Sequence, residues 1–310
     1  MAIRLEVLQR PAATADYSRP STYRTAGFVL GLTGLGLAIV TLFANLVAAD
    51  NVGTDPTAVR ETLAWSFGLT TAAFGLIKFG IATILMGVLI RAWMRVEAAK
   101  VALPQLKVEG PLAPTGEIET AHGAAIATSE PPPPLLIHRI APKAWVPMLA
   151  MGVMLVPAGL VLAVVQVGAD NAADYSTLGA WVQGTQFLGE AMLLAGISFL
   201  LGSILATLRN GGGEMQSSMG LTVKTLKMPL SAKAFIAIMM AGVMVSMAQF
   251  VLYIVAAYTD DPAAWFAWLG PFRELGLGLL LLGIVMALYT IGTILGFQFN
   301  RMRDIVTTGS

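Results

Sequence analysis

The run GAWVQGTQFLGEAMLLAGISFLLGSILATL, residues 179–208, decides the fold, because thirty consecutive residues hold a single charged side chain, Glu190. About 20 mostly apolar residues cross the ~30 Å hydrocarbon core of a bilayer at ~1.5 Å per residue. Five further stretches meet that length, at 27–48, 65–90, 145–167, 234–257 and 268–297. The whole chain agrees with them: 56% of its 310 residues are hydrophobic and 12% are charged, whereas a soluble domain carries about 25% charge. An all-α integral membrane protein with six transmembrane helices is expected, with the lipid bilayer as its first partner.

Composition also excludes functions. There is no cysteine, hence no thiolate metal site, iron–sulfur cluster or cysteine nucleophile. The two histidines, His122 and His138, lie in a polar, proline-rich stretch outside the spans, which excludes a bis-histidine haem within the membrane. A net charge of +1 points to no nucleic-acid partner. No nucleophile elbow, P-loop, zinc-protease motif or dinucleotide fingerprint occurs. Neither an enzyme nor a cofactor is expected, and no metal site.

Charge sorting gives the orientation. Sixteen basic residues fall in the N-terminal segment, the two long connections and the tail, from Arg4 to Arg303. The three short connections carry Asp50, Asp55, Glu61, Asp170, Asp174, Asp260 and Asp261 against a single Arg60. By the positive-inside rule both termini are cytoplasmic, in what reads as a bacterial inner membrane. The chain then divides into an N-terminal segment (1–26), a first hairpin (27–90), a flexible Pro-rich linker (91–143), a second hairpin (144–208), a connector (209–233), a third hairpin (234–300) and a tail (301–310).

The even spans share a pattern: Gly80-Ile-Ala-Thr-Ile-Leu-Met-Gly87, Gly189-Glu-Ala-Met-Leu-Leu-Ala-Gly196 and Gly276-Leu-Gly-Leu-Leu-Leu-Leu-Gly283. Leu85, Leu194 and Leu281 each stand two before the second glycine, and Trp181 and Trp268 stand eight before the first. A triplicated two-helix unit is expected, its copies parallel because each begins and ends on the same side, forming a pseudo-threefold bundle. Glycines seven apart stay on nearly one helix face and let a neighbouring backbone approach. Gly27 and Gly31 are placed to do the same in span one.

Charges within spans cost ~2.5–3.5 kcal/mol each at the centre on insertion scales and are functional candidates by default. Lys78, Glu190, Arg273 and Glu274 fall near the first repeat glycine of their spans, which predicts one intramembrane layer with Lys78 facing Glu190 and Arg273 able to pair with Glu274 or Glu190. Gln186, one turn before Glu190, is expected to hydrogen-bond it. The layer has two readings: an ion-paired staple fixing helix register, or a hydrated site for an ion, proton or polar solute. Asn45, Gln166 and Gln249 are expected to bond between helices. The sixteen methionines read as apolar filler, not copper ligands. The function expected is a non-enzymatic subunit that anchors or organises a membrane complex with partner subunits, the alternative being a small transporter or channel.

Overall fold

The computed structural model describes residues 18–51, 54–102, 119–120, 123–128, 136–218, 220–259 and 262–308. Six long helices dominate it: α1 (Ser18–Asp50), α2 (Pro56–Ala102), α3 (Leu136–Val167), α4 (Ala172–Ser218), α5 (Leu230–Ala257) and α6 (Pro262–Thr308). All six are long and apolar enough to cross a membrane, and the chain is a multi-pass helical membrane protein. The outward faces fit lipid: Phe28, Leu32, Phe43, Met154, Val161 and Met244 are all exposed.

Consecutive helices pair as hairpins, α1 with α2, α3 with α4 and α5 with α6, and α4 also packs on α2, α5 and α6. The three even helices are unequal partners. In α4, 83% of the apolar window is buried, against 33% in α2 and 28% in α6. Every residue from 184 to 201 is buried, as befits a helix that is apolar all round. The single charge of that stretch, Glu190, is therefore largely enclosed by protein.

The hairpins are stitched by seams of period 3.5. In α5 the buried residues Phe235, Met239, Gly242, Ser246, Gln249, Tyr253 and Ala256 alternate steps of four and three. In α6, Gly276, Leu280, Gly283, Ala287, Thr290, Ile294 and Phe297 do the same. Such a repeat keeps one stripe against the partner and imposes a left-handed crossing. Pro142, Pro147 and Pro157 lie inside α3 but on its exposed face, away from its seam.

One packing register recurs in all three hairpins. A Cβ placed on Gly27 would lie 2.5 Å from the Gly80 carbonyl oxygen and 2.6 Å from Ile84. On Gly152 it would lie 2.9 Å from the Gly189 oxygen and 2.7 Å from Leu193, and on Gly242, 2.9 Å from Leu280. Ile84, Leu193 and Leu280 each follow the first glycine of their pattern by four residues. The second glycines agree: Gly196 faces Leu149 and Gly283 faces Met239, each three residues before the odd-helix glycine. Gly87 is also buried. Gly31, in contrast, has open space where a side chain would stand.

The basic end differs from expectation. α2 continues beyond its span through RAWMRVEAAKVA (91–102), a run of good helix formers. α4 passes through Gly211, Gly212 and Gly213 without ending, because these glycines admit close neighbours: a Cβ on Gly212 would lie 2.5 Å from the Gln298 amide. Within the stretch read as a flexible linker, β1 (Glu119–Thr120) and β2 (Gly123–Thr128) pair antiparallel, and β2 pairs antiparallel with β3 (Val223–Leu226). The register runs from Ala125 opposite Leu226 to Thr128 opposite Val223. The Gln216 side chain holds the other side of β3, donating to the Lys224 carbonyl at 2.9 Å and accepting the Lys224 N–H at 2.8 Å.

Candidate functional site

Lys78 of α2 and Glu190 of α4 meet inside the bundle, with Nζ 2.9 Å from Oε2. Their side chains are 16% and 10% exposed. Helical side chains lean toward the N-terminus of their helix, so the long Lys78 stem rises toward the start of α2, with Glu190 within its reach. In this low-dielectric setting each charge is tolerable only because the other is present.

Gln186 does not bond Glu190. Its amide nitrogen donates across to the Gly68 carbonyl at 3.4 Å, and its oxygen is buried without a hydrogen-bond partner. The reason is steric: Gly68 of α2 and Gly159 of α3 lack side chains where Gln186 passes, so the amide runs along a glycine-lined slot toward α2 instead of folding back on its own helix.

Arg273 of α6 stands apart from the pair, its guanidinium 5.8 Å from the centroid of the Phe67 ring on α2, within cation–π range. It makes a further interaction as well. Glu274 lies on α6, and its side chain falls outside the described residues. Of the expected layer, then, the structure joins Lys78 with Glu190, places Gln186 one turn nearer the acidic end and sets Arg273 beside Phe67.

The odd-helix amides each bond across their own hairpin. Asn45 accepts from Ser66 at 2.6 Å, Gln166 donates to the Tyr175 carbonyl at 3.0 Å, and Gln249 donates to the Leu269 carbonyl at 2.9 Å. The acidic loops cap helices: Asp55 accepts the Ala58 N–H at 3.0 Å, and Asn171 accepts the Asp174 N–H at 2.8 Å. Arg60 lies 4.8 Å from the Tyr175 ring centroid, tying the first hairpin to the second. Asp260 and Asp261 lie outside the described residues.

Other functional-looking polar groups were not singled out by sequence. Tyr253 of α5 donates to Gln183 of α4 at 3.2 Å, and Thr290 of α6 shares a 2.9 Å hydroxyl contact with Ser231 of α5. Pairings between side chains far apart in the chain carry no local sequence signal. Among the described residues no group of three His, Asp or Glu side chains is placed to hold a metal ion.

Two cavities among the described residues are lined by other side chains than the pair. One lies at the basic end among α4, α5, α6 and β3, lined by Leu205, Arg209, Thr225 and Phe235 among others. The other lies between α1 and α2 at the acidic end, beside Phe43, Val47 and Trp65. Neither is lined by Lys78 or Glu190. No protein-family model, curated protein or solved structure matches the chain.

Proposed function

We propose that this chain is a non-enzymatic membrane subunit that anchors or organises a larger complex in the cytoplasmic membrane, with both termini cytoplasmic. The observation that carries the proposal is the closed Lys78–Glu190 pair, whose charges satisfy each other at 2.9 Å. An ion pair of this kind fixes which face of α2 meets α4, a role in register and not in turnover. The shared glycine register supports reading the hairpins as three parallel copies of one unit, with the second copy's α4 as the hub. Copies of a packing unit that differ in their charges make a rigid frame with distinguishable faces, which suits an organising role.

The test is purification of the full chain in a mild detergent, with identification of co-purifying proteins and their dependence on the pair. A stoichiometric membrane partner that is lost or loosened by Glu190→Gln supports the proposal. A chain that purifies alone, and that in proteoliposomes takes up solute or protons in a Glu190-dependent way, overturns it.

A transporter is the second reading, and one observation favours it. The Gln186 oxygen, one turn from Glu190, is buried without a donor, and a water or hydrated ion at that point would satisfy it. Protection of a cysteine introduced at Gln186 from water-soluble thiol reagents argues against this reading, and ready labelling argues for it.

A further inference from the structure

At the basic end, where the apolar run of α4 stops at Leu208, the cavity among α4, α5, α6 and β3 has a volume of about 70 Å³. One water needs roughly 10–15 Å³ by this measure, so the space admits a compact polyatomic group. Its walls are chiefly apolar, with Leu205, Phe235, Ile236 and Ile294 among them, but Arg209, Gln216 and Thr225 also line it.

Two of these polar groups lack a partner. Among the described residues no hydrogen bond or ion pair holds the Arg209 guanidinium, which is only partly exposed. The Thr225 hydroxyl is buried with no hydrogen-bond partner, and the residue is 5% exposed. Thr225 sits on β3, whose position is fixed by Gln216. Arg301 stands behind that wall, donating to the Gln216 oxygen at 3.2 Å. A cation and an unpartnered hydroxyl on residues that line one space, with a second guanidinium behind, match the acceptor oxygens of an anionic group. The apolar walls and the position just past the apolar span, at headgroup depth, match a lipid better than a soluble anion.

We propose that this cavity binds the phosphate headgroup of an anionic membrane phospholipid, held by Arg209 and the Thr225 hydroxyl, with the adjoining chain against Phe235 and Ile236. The site is independent of the anchoring role. Filling it ties β3, and through β3 the β2 strand, to the membrane.

The test uses the full chain in mild detergent, titrated with short-chain phosphatidylglycerol, with phosphatidylcholine of the same chain length and with inorganic phosphate, followed by thermal unfolding and native mass spectrometry. Phosphatidylglycerol is expected to raise the unfolding temperature saturably, with phosphatidylcholine without effect. Arg209→Gln is expected to weaken that response at least tenfold and Thr225→Val several-fold, whereas Lys227→Gln, at an exposed position outside the cavity, leaves it unchanged. Thr225→Val preserves shape, and alone decides the matter should Arg209→Gln fail to fold. Equal weakening by Lys227→Gln and Arg209→Gln would mean diffuse surface charge and overturn the site. An equal response to inorganic phosphate or to phosphatidylcholine overturns the assignment to an anionic lipid.

Discussion

Lys78 and Glu190, 2.9 Å apart, occupy non-equivalent places in the packing register: Lys78 stands two residues before Gly80, Glu190 one after Gly189. The matching positions in the other hairpins are Phe187 and Glu274 for Lys78, and Ile81 and Leu277 for Glu190. The pair therefore distinguishes the first two hairpins from one another where their glycines make them alike. It gives α2 one preferred face of α4.

Removing one partner leaves a buried charge unanswered, which costs about 3–5 kcal/mol. Lys78→Met and Glu190→Leu are each expected to lower the unfolding temperature strongly in detergent, and the double variant to recover most of the loss. A double variant as unstable as the sum of the singles would sink the assignment of the pair as a mutual staple.

The close approach of α1 to α2 rests on Gly27. A side chain there meets the Gly80 carbonyl at 2.5 Å, so Gly27→Val is expected to cost about 1–3 kcal/mol through overpacking, whereas Gly31→Ala, facing open space, is neutral. The chain has no cysteine, so disulfide trapping between cysteines introduced on α1 and α2 reads the separation directly.

Gln249 makes one good bond, to the Leu269 carbonyl at 2.9 Å, while its own oxygen is buried unpaired. Interhelical bonds of this kind average about 0.6 kcal/mol in membranes. Because Gln249→Leu deletes the unsatisfied oxygen along with the bond, a change below about 1 kcal/mol is expected in a denaturant titration. A much larger loss would mean that the oxygen has a partner, such as a bound water.

Gln216 joins β3 to α4 and to Arg301 by four hydrogen-bonding contacts. Gln216→Leu leaves the part-buried Lys224 N–H and carbonyl without these partners, at about 1 kcal/mol for each bond lost. Amide exchange over Val223–Leu226 is expected to accelerate at least tenfold, with the α1–α2 hairpin unaffected.

Much of this was legible in the chain. The six spans follow from apolar length, because the bilayer sets one threshold that each segment meets alone. Glycines seven apart marked the packing faces, since a helix returns nearly to the same side after two turns. Partners on separate hairpins were less accessible. That Lys78 faces Glu190 follows from their shared layer and opposite charge, but that Gln186 reaches Gly68 depends on the slot left by Gly68 and Gly159, which no local pattern encodes. The central position of α4 was visible only as a run with a single charge. Its continuation to Ser218 through three glycines was hidden, because glycine lowers helix propensity and the compensating neighbours, Gln298 and β3, come from elsewhere.

The β2–β3 pairing carries a consequence for biosynthesis. β2 leaves the ribosome before the second hairpin exists, and its partner β3 follows that hairpin in the chain. The sheet can therefore close only after α3 and α4 have been made, and it joins ends separated by a loop spanning both helices. The closure entropy of so long a loop rises only logarithmically with its length, so the delay is one of timing more than of energy. Until α4 has been made, β2 has only β1 beside it, and its pairing with β3 records that the middle of the protein is complete.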